Sequence, residues 1–118
     1  MAGASPGRVG YVDRQGRPIN RRTWLALSAR PEYVVVARDA VRVSGRRVHV
    51  LTMWLGLYLP TDQPPIFETL LQPSSGARPR TWTWTRLAQA RTGHCHVVRD
   101  LKTGAQSRDQ AGGASASR

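Results

Sequence analysis

Between residues 33 and 85 four segments in succession carry strand-like patterns, each separated from the next by residues that reverse or break a chain. Tyr33-Val34-Val35-Val36-Ala37 is β-branched and apolar, as in a buried strand, and Val41 and Val43 extend it past Arg38-Asp39. Ser44-Gly45-Arg46 supplies a tight reversal into Arg47–Leu57. Leu51, Met53, Leu55 and Leu57 fall on one side of that segment and Thr52, Trp54 and Gly56 on the other, so both faces are apolar enough for a central strand. Pro60 through Pro65 must be loop, because two adjacent prolines cannot donate to a ladder, and Ile66–Gln72 resumes as strand. The loop is short, which makes 47–57 and 66–72 antiparallel neighbours. After the turn Pro73–Pro79, Arg80-Thr81-Trp82-Thr83-Trp84-Thr85 alternates threonine with tryptophan at period two, placing both indoles on one face.

Helices are expected at either end of this series. Gly10–Asp13 reads as a short strand and Asp13-Arg14-Gln15-Gly16 as a turn with glycine at its positive-φ position. Asn20 is placed to cap a helix over 21–28, with Trp24 and Leu27 on one face, and Pro31 closes it. From Thr85, read as an N-cap, Leu87, Ala90, His94, Val97, Val98 and Leu101 recur at helical spacing, with Gly93 as an internal weakness costing about 1 kcal/mol relative to Ala. The expectation is an α+β domain of order β-α-β-β-β-β-α: a four-stranded antiparallel meander with a short N-terminal helix and a C-terminal helix packed on one face.

A chain of 118 residues has room for one hydrophobic core. That domain is expected over 10–101, with 1–9 a flexible N-terminus and 102–118 a disordered basic tail, because neither end offers the burial that offsets ordering entropy. No run of about 18 apolar residues is present and the start lacks the apolar stretch of a secretory signal, which predicts a soluble cytoplasmic protein with no membrane partner. The single cysteine, Cys95, excludes an internal disulfide and the usual cysteine-paired zinc frameworks.

The formal charge of +11 favours acidic partners, either nucleic acid or an acidic protein or nucleoprotein. Arg38, Arg42, Arg46 and Arg47 nearly balance Asp39, Asp62 and Glu68 in the apolar middle, so the excess lies on both flanks. Lys102 is the only lysine among 18 basic residues, a bias that fits a GC-rich coding sequence as well as a selected arginine surface. Arg21, Arg22, Arg78, Arg80 and Arg86 are the candidate phosphate or carboxylate contacts. Trp82 and Trp84 are candidate stacking residues beside them, as in single-strand binders, although four tryptophans in a chain with one phenylalanine equally supply core bulk.

Gly93-His94-Cys95-His96 contains metal-ligand residue types, but on a helix His94 and His96 diverge by about 200° and cannot meet on one ion. On a strand they would lie side by side, with His49 as a third ligand. The helical reading is preferred, so neither a metal site nor another cofactor is expected. No serine-histidine-aspartate order, P-loop or Gly-x-Gly-x-x-Gly pattern is present, which disfavours enzymatic activity. Glu68, between Phe67 and Thr69 and on the side of Ile66 and Leu70, reads as a buried carboxylate bonded to an arginine or an indole N–H, and Thr52 as a second structural polar group.

Thr52-Met53-Trp54-Leu55-Gly56-Leu57 followed by Pro64-Pro65-Ile66-Phe67-Glu68-Thr69 resembles a signature of small uncharacterised proteins of tailed bacteriophages and prophages. In that group a Ser-Thr-Val-Trp-Leu-Gly-Leu strand is followed by a proline-containing loop and a Pro-Leu-Ile-Phe-Glu-Thr-Met-Val strand. Tyr11–Gly16, Trp24, Ala90 and Gly93-His94 are similar to its outer motifs, while Thr85-Arg86-Leu87-Ala88-Gln89-Ala90 replaces an acidic helix start and reverses the local charge. The resemblance implies a fold and a phage context, and no activity. Together these readings predict a non-catalytic phage or prophage accessory protein acting by binding, with a host or defence nucleoprotein as the target to be modulated. The alternatives are direct binding of single-stranded nucleic acid or RNA, a small metal-dependent enzyme, and a phage structural component.

Overall fold

The computed structural model describes residues 10–73 and 76–111, with side chains described to 104. The expected flexible segment 1–9 and the end of the tail, 112–118, lie outside the described residues. Among the described residues the chain is α+β, with antiparallel sheets and three helices, the C-terminal one packed on a four-stranded sheet.

β1 (Gly10–Val12) turns through Asp13–Gly16 into β2 (Pro18–Ile19). Asp13 organises the turn: its Oδ1 accepts from the backbone N–H groups of Gln15 and Arg17, both at 2.9 Å, while Gly16 takes φ +81°. Arg14 ties this turn to the main sheet by donating to the carbonyls of Tyr33 and Val35 at 2.9 and 3.1 Å, with its guanidinium 5.0 Å above the Tyr33 ring. α1 (Arg21–Ser28) begins as expected at Asn20, whose Oδ1 accepts from Thr23 N–H at 2.8 Å. Pro31 does not simply close that helix. It opens a second one, α2 (Pro31–Val34), because a residue with fixed φ and no N–H suits a first helical turn. At the junction Arg30 donates to Glu32 at 2.8 Å and holds its carboxyl below the usual carboxylate range, although both side chains are exposed.

β3 (Val35–Val43) and β4 (Arg46–Trp54) are joined by Ser44 and Gly45, both at positive φ (52° and 80°), which match the twist of a two-residue hairpin. β6 (Phe67–Gln72) and β7 (Arg80–Trp84) follow, and the sheet order is β3-β4-β6-β7, antiparallel throughout. The strand expected over 47–57 is interrupted. It ends at Trp54, where Leu55 and Gly56 both donate to the Ile66 carbonyl at 2.8 and 3.1 Å and Gly56 adopts φ +70°. The chain then leaves the sheet as β5 (Leu57–Tyr58), which pairs with β1 in a small sheet of order β2-β1-β5.

α3 (Leu87–Ala111) covers one face of the four-stranded sheet. The helix runs on past the boundary expected at Leu101, to Ala111. Thr85 is not its side-chain cap, since the Thr85 hydroxyl donates to the Pro64 carbonyl and the Gln89 side chain reaches back to Thr85 N–H. Beneath the helix lie two core clusters. One joins Val12, Trp54, Ile66, Phe67 and Ala90; the other joins Val50, Leu71 and Val97. Among the described residues no helix is long and apolar enough to cross a membrane.

Candidate binding groove and the polar chain beneath it

The strand pleat decides which side chains face α3. Phe67, Thr69 and Leu71 of β6 point inward, as do Val50, Thr52 and Trp54 of β4, while His49, Leu51, Met53, Glu68 and Leu70 lie on the outer face, half-buried or exposed. Glu68 is therefore not the buried carboxylate expected from its apolar neighbours. Ile66, expected on its side, precedes the strand and joins the core, and Glu68 makes no ion pair among the described residues.

β7 presents Arg80, Trp82 and Trp84 on the helix side, where sheet edge and helix enclose a groove of about 560 Å³. Both indoles share one face, but they have different tasks. Trp84 lines the groove and packs on the first core cluster: its Nε1–H donates to Thr69 Oγ1 at 2.9 Å and its ring lies against Gly93, where an added Cβ would be 2.3 Å from Cζ2. The internal glycine of α3, which weakens the helix locally, is thus what admits the ring. Trp82 lies further along the groove with the Arg80 guanidinium 4.9 Å from its ring centroid, a cation–π stack that occupies one indole face. Gln89, Thr92, His96 and Asp100 supply the polar side of the groove from α3, and Leu71, Val97 and Leu101 its apolar floor.

Other candidates are dispersed. Arg78 and Arg86 are exposed at either end of β7 and do not line the groove. Arg21 and Arg22 open α1, which packs on α2 and β1 and contributes no groove residue. The three histidines separate: His49 is exposed on the outer sheet face, His94 is buried against the sheet, and His96 faces the groove. Among the described residues no group of three or more His, Cys, Asp or Glu side chains is placed to hold a metal ion.

Thr52 is one link in a buried polar chain. His94, 3 % exposed, bonds through Nδ1 to Thr52 Oγ1 at 2.7 Å and through Nε2 to Asp39 Oδ2 at 2.7 Å; Thr52 in turn bonds to Thr69 Oγ1 at 2.5 Å. The order hydroxyl, imidazole, carboxylate is that of a hydrolytic triad, but the burial is inverted. The Thr52 hydroxyl is fully buried and engaged by Thr69, whereas the carboxylate is the accessible end, with 52 % of the Asp39 side chain exposed. A nucleophile needs the opposite arrangement. Asp39 and Thr69 carried no functional signal in the sequence beyond a carboxylate interrupting an apolar strand.

No protein-family model, curated protein or solved structure matches this chain.

Proposed function

We propose that this protein is a non-catalytic phage or prophage accessory protein that acts by binding, presenting the β7–α3 groove to an acidic segment of a host or defence nucleoprotein. The observation that carries this reading is the Arg80–Trp82 stack beside an apolar groove floor, on a chain of formal charge +11. A carboxylate on Arg80 with an apolar side chain on Leu71 and Val97 uses both halves of the groove. The likeness of 52–57 and 64–69 to phage proteins supports the biological setting. Direct recognition of single-stranded nucleic acid is the second reading, and the same stack favours it, since arginine and indole together suit a nucleotide. It ranks lower because the Trp84 ring is packed against Gly93 and one face of Trp82 is already covered, so two open indole faces are not offered.

The test compares the unmodified protein with Trp82→Ala and with the paired change Arg78→Ser and Arg80→Ser, using host proteins recovered on the immobilised chain and fluorescent single-stranded DNA and RNA. An acidic protein retained by the unmodified chain and lost in both variants, with folding intact, supports the first reading. Oligonucleotide binding whose logarithmic salt slope flattens by about 0.7–0.9 per phosphate contact removed supports the second. Binding of either kind that survives both changes excludes the groove.

A further inference from the structure

Asp39, Thr52, Thr69 and Trp84 come one from each strand of the four-stranded sheet, and His94 joins them from α3. The chain of bonds therefore runs from one edge strand, β3, to the other, β7, a width of about 14 Å at about 4.8 Å per strand. Its ends are chemically fixed: an ionised carboxylate only accepts and an indole N–H only donates. Four bonds share the hydrogens of Trp84 Nε1, Thr69, Thr52 and the imidazole.

One assignment makes all four bonds and leaves no hydrogen of the chain unpaired. Trp84 donates to Thr69, Thr69 to Thr52, Thr52 to bare His94 Nδ1, and His94 Nε2–H to Asp39. In the other neutral tautomer an imidazole lone pair would face the carboxylate. With both nitrogens protonated, Thr52 would have to turn and donate to Thr69, which would then receive two hydrogens while its own was left without an acceptor in a fully buried site.

We propose that this directional relay is a positioning device in which the accessible carboxylate of Asp39 sets the tautomer of His94 and, through the two threonines, holds Trp84 in the groove wall. The β3 edge and the β7 groove are thereby coupled. Anything that draws the Asp39 carboxylate away from His94 releases the hydrogen order and loosens Trp84. His94 and Asp39 are positioning residues, since neither lines the groove. The functional consequence rests on the groove being the binding site; the relay itself does not.

Nuclear magnetic resonance of the full 15N-labelled chain, with no partner added, tests the relay. In the unmodified protein His94 is expected to carry its proton on Nε2, and a protonated Nδ1 would overturn the proposal. In Asp39→Ala the Trp84 indole resonance should move and its N–H should exchange with solvent up to about tenfold faster, the equivalent of one lost hydrogen bond. The indoles of Trp24 and Trp54, bonded to the carbonyls of Leu55 and Val12, should not respond. Asp39→Asn, which keeps an oxygen acceptor for Nε2–H, should restore the Trp84 signal. Thr69→Ser should preserve it and Thr69→Val should abolish the effect of Asp39→Ala. A Trp84 signal in Asp39→Ala identical to that of the unmodified chain would overturn the coupling, and a general change at all three indoles would reduce Asp39 to a stabilising residue and overturn it equally. Failure of the groove is read separately, from partner binding that is indifferent to Trp82→Ala.

Discussion

Gly93→Ala is the substitution for which local and tertiary physics disagree in sign. In an isolated helix Ala is favoured over Gly by about 1 kcal/mol. Here the new Cβ would be 2.3, 2.5 and 2.8 Å from Cζ2, Cη2 and Cε2 of Trp84, atoms of a rigid ring that cannot bend aside. Restoring ordinary contact requires a relative shift of about 1 Å, and Nε1, bonded to Cε2, moves with the ring. A 2.9 Å hydrogen bond to Thr69 displaced by that amount is lost. Overpacking costs roughly 1–3 kcal/mol and the bond about 0.5–1.5, so after the helix gain the net destabilisation is about 0.5–3.5 kcal/mol. Gly104 provides the control on the same helix, because a Cβ there meets nothing within 4 Å and Ala should be neutral or stabilising by up to about 1 kcal/mol. Equilibrium urea unfolding read by tryptophan fluorescence measures both. Trp84→Leu in the Gly93→Ala background should recover part of the loss as a coupling energy between the two sites. If Gly93→Ala were as stable as Gly104→Ala, the close approach of helix and indole would be wrong, and with it the placement of α3 over β7.

Two further substitutions probe other levels of the structure. Asn20→Ala removes the side-chain acceptor for Thr23 N–H and should lower the unfolding free energy by about 1 kcal/mol, whereas Asn20→Ser should retain most of it. Glu68→Ala, on the half-exposed outer face, should change stability by no more than about 0.5 kcal/mol in the same assay; a loss several times larger would return Glu68 to the buried, bonded role expected from its neighbours.

Local chemistry was legible wherever a residue's own conformational preference decides the outcome. Asn20 caps because its short side chain reaches back to the helix N–H groups, the reversal at 44–45 forms because Gly45 takes positive φ without steric cost, and adjacent prolines cannot join a ladder whatever surrounds them. The period-two pattern of Arg80–Trp84 placed Trp82 and Trp84 on one face for the same reason. Periodicity states which side chains share a face but not what covers it. That Trp84 packs beneath α3 against Gly93 while Trp82 stacks with Arg80 further along the groove was settled by where α3 crosses the sheet. The diversion of β5 into a second sheet also lay beyond local pattern, since Leu57 and Tyr58 pair with Gly10 and Tyr11, nearly fifty positions earlier. The polar relay is the clearest case. His94 is 55 positions from Asp39 and 42 from Thr52, and Thr52 is 17 from Thr69. Each residue alone reads as an ordinary threonine, histidine or surface carboxylate. A hydrogen bond exists only at a few ångströms and in one direction, and only the strand register and the helix crossing bring these groups to that distance.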